Sequence, residues 1–244
     1  MKQDLLKLVA ARWARLGAML NVKAASRTPD IERLLLDTAR VCSRNSRLFV
    51  LAASWLALYG EYVARHRLAH LVRHELEDEY QPALGLLLEW ARDHGAVNGS
   101  RFNLAIKACA AAATPQPLFD VERRNAPLAA LAEQRASALS RRWGRWTIDF
   151  EIKSDAIRPA EWIAAHNSSL GERALTGGDL LASVLAECHA EPQAIQSEAE
   201  LARRCGASRP AIRAALRRLQ LAGQIRSVRQ GRSHAIELTR RNVA

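Results

Sequence analysis

Lysine is scarce in this chain: five stand among 244 residues, against 31 arginines. That bias, with alanine abundant, fits a GC-rich coding genome. Cysteine is scarce too, and Cys42, Cys109, Cys188 and Cys205 show neither C-x-x-C nor any other metal-ligand spacing. They read as reduced, small apolar residues. Long hydrophobic runs are missing: the longest uncharged one, Leu48 to Gly60, has 13 residues, where a membrane helix needs about 20. A signal-peptide core is missing as well, because Arg12 and Arg15 interrupt the apolar residues of MKQDLLKLVAARWARLG. These absences point to a cytoplasmic protein with no membrane partner. No phosphate-binding Gly-rich loop, G-x-S-x-G, H-E-x-x-H, internal repeat or spacing-enforced carboxylate pair occurs. Neither a cofactor nor an enzymatic activity is expected.

Positive charge is what the chain has in excess, with a formal net of +11. It is concentrated at one end. Residues 197–244 hold eleven arginines against Glu198, Glu200 and Glu237, whereas residues 1–175 hold 25 basic and 19 acidic side chains. A short, strongly basic stretch suits an anionic partner such as nucleic acid.

That stretch, SEAELARRCGASRPAIRAALRRLQLAGQIRSVRQGR from Ser197 to Arg232, carries local signals in an ordered series. Ser197 and Glu200 have the spacing at which a hydroxyl and a carboxylate satisfy each other's orphan donors, so a helix starts there. Leu201 and Ala202 are its apolar positions. Gly206 sits where a helix ends in a left-handed residue. Ser208 then caps a second helix, with Pro210 in the first turn where its missing N–H costs nothing. Two helices around a Gly-containing turn make a helix-turn-helix. The second helix divides by period: Ile212, Ala215, Leu216 and Leu219 form a buried stripe, and Arg209, Arg213 and Arg217 form an exposed one. Three guanidiniums on one face repel one another, so phosphates or guanine edges are their natural counterparts. Gly223 closes the helix, and strands Ile225 to Val228 and Ser233 to Leu238 flank Arg229-Gln230-Gly231-Arg232 as a wing. The candidate DNA contacts are Ser197, Arg203, Arg204, Ser208, Arg209, Arg213, Arg217, Arg229, Gly231 and Arg232. Capped helices and solvated arginine stripes are each common, whereas this combination is rare.

The segments Ser197-Glu-Ala-Glu-Leu-Ala, Ala207-Ser-Arg-Pro-Ala-Ile-Arg-Ala-Ala-Leu-Arg-Arg-Leu, Ala222-Gly and Arg229-Gln-Gly-Arg together resemble the winged helix-turn-helix of GntR-type bacterial transcription regulators. The resemblance covers about a quarter of the chain. It implies that Ser208, Arg209, Arg213 and Gly231 meet DNA. Two departures stand out. Ala199 occupies a position where family members usually carry an arginine, and the reading head is C-terminal here rather than N-terminal, so the family's effector chemistry does not carry over.

The remainder reads as helical. Residues 4–21 place Leu5, Leu8, Val9, Trp13, Leu16 and Leu20 on one face. Thr28 and Pro29 signal the next helix start. Leu48 to Val63 is apolar nearly all round, marking a helix that others surround and that continues through His74. His66, His70 and His74 share a face of that helix, but nothing fixes the further ligands a metal site needs. Interleaved Arg65, Arg67 and Arg73 read as a basic, partly exposed surface. Arg65 and His70 also have a spacing similar to the R-x4-6-H motif of HEPN-type ribonucleases, which would use the histidine as acid or base. The acidic segment Glu75 to Glu79 reads as a solvated loop, or as a counterpart for the basic head of a second subunit. Helices follow at Pro82 to His94, Ser100 to Ala113, Pro127 to Gly144 and Arg158 to His166, with a short strand at Thr147 to Lys153. Arg141, Arg142 and Arg145 interleaved with Trp143 and Trp146 could hold nucleic-acid backbone and bases, but the preferred reading is two core tryptophans under a polar rim. Asp179 can cap a helix from Leu180 to Cys188.

The expected protein is mainly α: a helical domain at 1–120 for association or partner sensing, a connector of mixed helix and short strand at 121–177, and a winged helix-turn-helix at 178–244. The expected function is a sequence-specific transcription regulator, a repressor acting as a homodimer on an inverted repeat in double-stranded DNA. Alternatives are an antitoxin or a mobile-element or phage-defence regulator with a protein partner on the N-terminal domain, a plasmid replication or partition protein, and the HEPN-like ribonuclease.

Overall fold

The computed structural model describes residues 2–95, 99–167, 170, 173–174, 180–190, 197–230 and 233–239, and the chain is mainly helical. α3 (Ser46–Tyr59) is apolar nearly all round because others cover it. Asn45 opens it, accepting from the Leu48 N–H at 3.0 Å. α1 (Lys2–Arg15), α2 (Ile31–Val41) and α5 (Gln81–His94) pack against it, and α4 (Arg65–Glu75) lies against α2 and α6 (Asn103–Ala108). Trp13, Trp55 and Trp90 are buried there, each with its indole N–H satisfied, by Thr38 Oγ1 at 2.8 Å, the Leu16 carbonyl at 2.9 Å and Asp149 Oδ1 at 3.0 Å respectively. Leu8, by contrast, is 45% exposed and leaves the expected α1 core face.

Several boundaries differ from the sequence expectation, most because a backbone group finds a partner outside its own helix. Asp30, not Thr28, caps α2, accepting from the Arg33 N–H. The long helix expected from Leu48 through His74 breaks at Gly60–Tyr62, and Ala64 is extended. The Ala64 N–H donates to Glu32 Oε1 at 2.8 Å and the Tyr62 carbonyl accepts from Arg173 at 3.0 Å. α6 stops at Ala108, after which the Ala110 N–H donates to Gln81 and the Ala112 N–H to the Trp143 carbonyl. The helix expected to reach Gly144 splits into α8 (Ala126–Gln134) and α9 (Ala138–Arg142), following the single-turn α7 (Asp120–Arg123). Ser137 caps α9, and its own N–H goes to the Thr147 carbonyl, an alternative to helix continuation. No strand forms at Thr147 to Lys153. The parallel pair is instead β1 (Gln116–Pro117) with β2 (Arg145–Trp146). Trp143 is buried over Gly85, where a Cβ would stand 2.3 Å from its ring, and Trp146 is half-buried. α10 (Ala160–His166) follows.

Two clusters of buried apolar residues result. The first runs from Val9 to Leu170 and includes Trp143, Ile157, Ile163 and Leu170 of the expected connector. The second joins α11 (Leu180–Ala190), α12 (Glu198–Cys205) and α13 (Arg209–Leu221) to the antiparallel hairpin β3 (Ile225–Gln230) and β4 (Ser233–Leu238), around Leu185, Leu201, Ile212, Leu219 and Ile236. The boundary expected at Gly177–Gly178 and the cap at Asp179 lie outside the described residues.

Charge crosses the seam between the clusters. Arg67, expected on an exposed basic face, is completely buried. Its guanidinium donates to Asp30 Oδ1 at 2.7 Å, to Glu32, and to Glu187 Oε1 of α11 at 2.8 Å. Glu32 also takes a bidentate pair from Arg173 at 2.6 and 3.0 Å. Burial alone would raise the Asp30 and Glu32 carboxyls, but the arginines outweigh it: Arg67 holds Asp30 well below the usual carboxylate range, and Arg173 with Arg67 lowers Glu32.

Candidate nucleic-acid interface

The basic segment folds by the local signals it carries. Ser197 accepts from the Glu200 N–H at 3.2 Å and starts α12. The reciprocal half of that cap is absent, because the Glu200 carboxylate bonds Arg203 and Arg204 at 2.6 to 3.0 Å, which lower its pKa to about 2. Gly206 ends α12 at φ 63°, ψ 37°, where a side chain would be strained. Ser208 caps α13, with Pro210 in the first turn.

α13 separates its two faces. Ile212, Ala215, Leu216 and Leu219 are buried against α11, α12 and β3. Arg209, Arg213 and Arg217 stand exposed on the other side, with Ser208 exposed at the helix start. The row has an internal counter-ion that the spacing did not reveal. Glu198, in the first turn of α12, accepts from Arg213 Nη2 at 2.9 Å and from its Nε at 3.2 and 3.3 Å. Its carboxyl is lowered first by that hydrogen bonding, then by the charges of Arg213, Arg209 and Arg217, so the whole row lies in one field.

The remaining candidates divide. Arg203 is exposed on α12 beside the row's helix, whereas Arg204 is turned to the seam, its Nη1 3.6 Å from the buried Glu187. Arg229 lies in β3 opposite His234, and across the same hairpin Arg226 pairs with Glu237 at 2.9 Å. Gly231 and Arg232 lie outside the described residues.

The histidine face of α4 meets the head. His70 and His74 lie ring to ring with centroids 4.4 Å apart, and a Cβ at Gly206 would come within 2.9 Å of His70 Cβ. The turn between α12 and α13 therefore rests on α4. Among the described residues no group of three or more His, Cys, Asp or Glu gathers as metal ligands. Cys42, Cys188 and Cys205 are buried thiols, and Cys109 is half-buried. No helix among the described residues is long and apolar enough to cross a membrane. Comparison with models of known families, with curated proteins and with solved structures finds no match to this chain.

Proposed function

We propose that the chain is a sequence-specific DNA-binding regulator of transcription, a repressor that acts as a homodimer on an inverted repeat. Its C-terminal part is read as a winged helix-turn-helix similar to that of GntR-type regulators, with α12 and α13 as the two helices and β3–β4 as the wing. The observation that carries the reading is the exposed row Arg209, Arg213 and Arg217 on a helix whose opposite face is buried.

In this mechanism α13 enters the major groove. The row meets guanine edges and phosphates through guanidinium forks, and Ser208 with the helix N-terminus holds a phosphate. Arg229 and Arg232 anchor the wing to the backbone. One small head reads few base pairs, so a second copy, joined through the N-terminal helices, supplies the remaining specificity. Footprinting on the DNA flanking its own gene is expected to protect an inverted repeat. Arg213→Ala is expected to cost about 1–3 kcal/mol of operator binding and relax the preference at one base position. An unchanged ratio of operator to random-duplex affinity in that variant removes the base-reading role.

One observation favours a second reading, an antitoxin or phage-defence regulator. Val121 and Ile148 on the helical body are 66% and 55% exposed, apolar surface suited to a protein partner. Co-purification with the product of a neighbouring gene separates this reading from the first.

A further inference from the structure

A groove of about 880 Å³ runs between the helical body and the head, within the size range of small-molecule sites. Six arginines line it: Arg12, Arg27, Arg33 and Arg40 from the body, Arg203 and Arg204 from the head. Asp30, Asp37 and Glu75 oppose them in the lining, and Glu77, Glu187 and Glu200 stand beside it on Arg40, on Arg33 with Arg204, and on Arg203 with Arg204, so the groove is walled by guanidiniums whose counter-ions lie mostly outside it. The carboxylates are also shared. Arg12 and Arg40 divide Asp37 between them at 2.9 and 3.0 Å, and Asp30 is engaged with Arg67. Arg27 is exposed and pairs with no carboxylate among the described residues.

The Glu75 carboxylate stands at the end of α4 where body and head both line the groove. Arg33 grips it with both arms of its fork, at 3.1 and 3.2 Å. Arg203, whose fork holds Glu200 at 2.6 and 3.0 Å, lines the same groove from the head, and so does His70 from α4. His74 lies against His70 with ring centroids 4.4 Å apart. Burial pulls the His70 pKa down, His74 and Arg203 pull it further, and Glu75 only partly opposes them. A carboxylate surrounded in this way, itself 42% exposed, marks where an anion is stabilised and is free to swing aside for a better one. A phosphate dianion is the better fit, because it carries more charge and accepts bidentate guanidinium pairs. The lining also includes apolar Leu8, Ala25 and Pro29, and Leu8 is 45% exposed.

We propose that this groove binds a small phosphorylated metabolite, its phosphate held by Arg33, Arg203 and the His70–His74 pair and its apolar part lying toward Leu8 and Pro29. Its contacts come from both sides of the seam, so occupancy biases how the head sits on the body. That regulatory consequence rests on the DNA-binding reading above, and the binding itself does not. If both hold, the factor by which the ligand changes duplex affinity equals the factor by which duplex changes ligand affinity.

The test is calorimetric titration of the full chain with inorganic pyrophosphate in the absence of DNA. The expected result is one saturable site per chain. Glu75→Gln, which removes the competing internal anion, is expected to tighten it about threefold or more, and His74→Glu to weaken it about tenfold. Both positions are exposed, and the gain expected for Glu75→Gln cannot arise from misfolding. The proposal is overturned by absence of saturable heat up to about 10 mM, by heat that neither substitution alters, or by heat that Arg217→Glu abolishes while His74→Glu leaves it intact. The last outcome moves the anion to the arginine row of α13. A wild-type chain that ignores duplex DNA yet binds pyrophosphate with this pattern defeats the regulator reading and leaves the site standing.

Discussion

Arg67 is the side chain whose burial needs the most compensation. A guanidinium taken wholly out of water is tolerated only where its donors are used, and here three carboxylates use them. Arg67→Ala leaves Asp30, Glu32 and Glu187 facing one another and is expected to cost about 3–5 kcal/mol in denaturant unfolding. The pH dependence follows from the same pairs. Asp30 and Glu32 are held below their unfolded values, so their stabilisation is complete above the ordinary carboxylate range near about pH 4–5 and is lost as pH falls below it. Thermal melts between about pH 7 and pH 3 are expected to show stability dropping with acid, and Arg67→Met is expected to flatten that drop. An equally steep drop in the variant assigns it to other groups. Glu198 belongs to the same scale. It pairs with Arg213 at 2.9 Å, so on the DNA-binding reading Glu198→Gln is expected to raise random-duplex affinity about threefold to tenfold and lower the operator preference. Measured affinities that rise equally for operator and random DNA contradict this role.

Among the elements, the turns separate conformational strain from packing. Gly206 and Gly223 share a left-handed backbone, at φ 63° and 66°, but a Cβ at Gly206 meets His70 whereas at Gly223 it meets nothing within 4 Å. Alanine at Gly223 is expected to cost about 1 kcal/mol from backbone strain alone. Alanine at Gly206 is expected to cost more, because α4 must also give way, and equal losses for the two variants would mean that the turn does not rest on α4. These turns, and the helix starts at Ser197 and Ser208, are legible in the sequence because each signal lies within four residues of what it organises. The partition of α13 into Ile212, Leu216 and Leu219 against Arg209, Arg213 and Arg217 is legible for the same reason. The seam is not. Arg67 and Glu187 are 120 positions apart, and Arg67 stands in an Arg/His-rich run that reads as a solvated face. The breaks at Gly60–Tyr62 and at Ser137 escape sequence reading because their backbone partners, Glu32 and Thr147, belong to other segments. Glu198 carried a signal that could have been used: with Glu200 and Glu237 it is one of three acids in a tail of eleven arginines.

At the scale of the molecule, charge is distributed by use. The acidic stretch that could have served a second subunit's head is engaged at home, with Glu75 on Arg33 and Glu77 on Arg40. Among the described residues, the arginines of α13 have only Glu198 as a counter-ion. Duplex affinity measured by anisotropy across a salt series is therefore expected to fall steeply, about 0.9 log unit per phosphate contacted for each decade of salt. Arg232→Ala is expected to reduce that slope by about one unit. A flat salt series would speak against any polyanion on this surface.

The ionic seam bears on what could be done with this head by engineering. Grafted onto a foreign scaffold, it would bring Glu187 to a wall without Arg67 and Arg33, and the buried carboxylate, left with the head's own Arg204 at 3.6 Å, would push the graft away from its seat. A working chimaera would have to carry Asp30, Glu32, Arg67 and Arg173 along with the head, which makes body and head a matched pair.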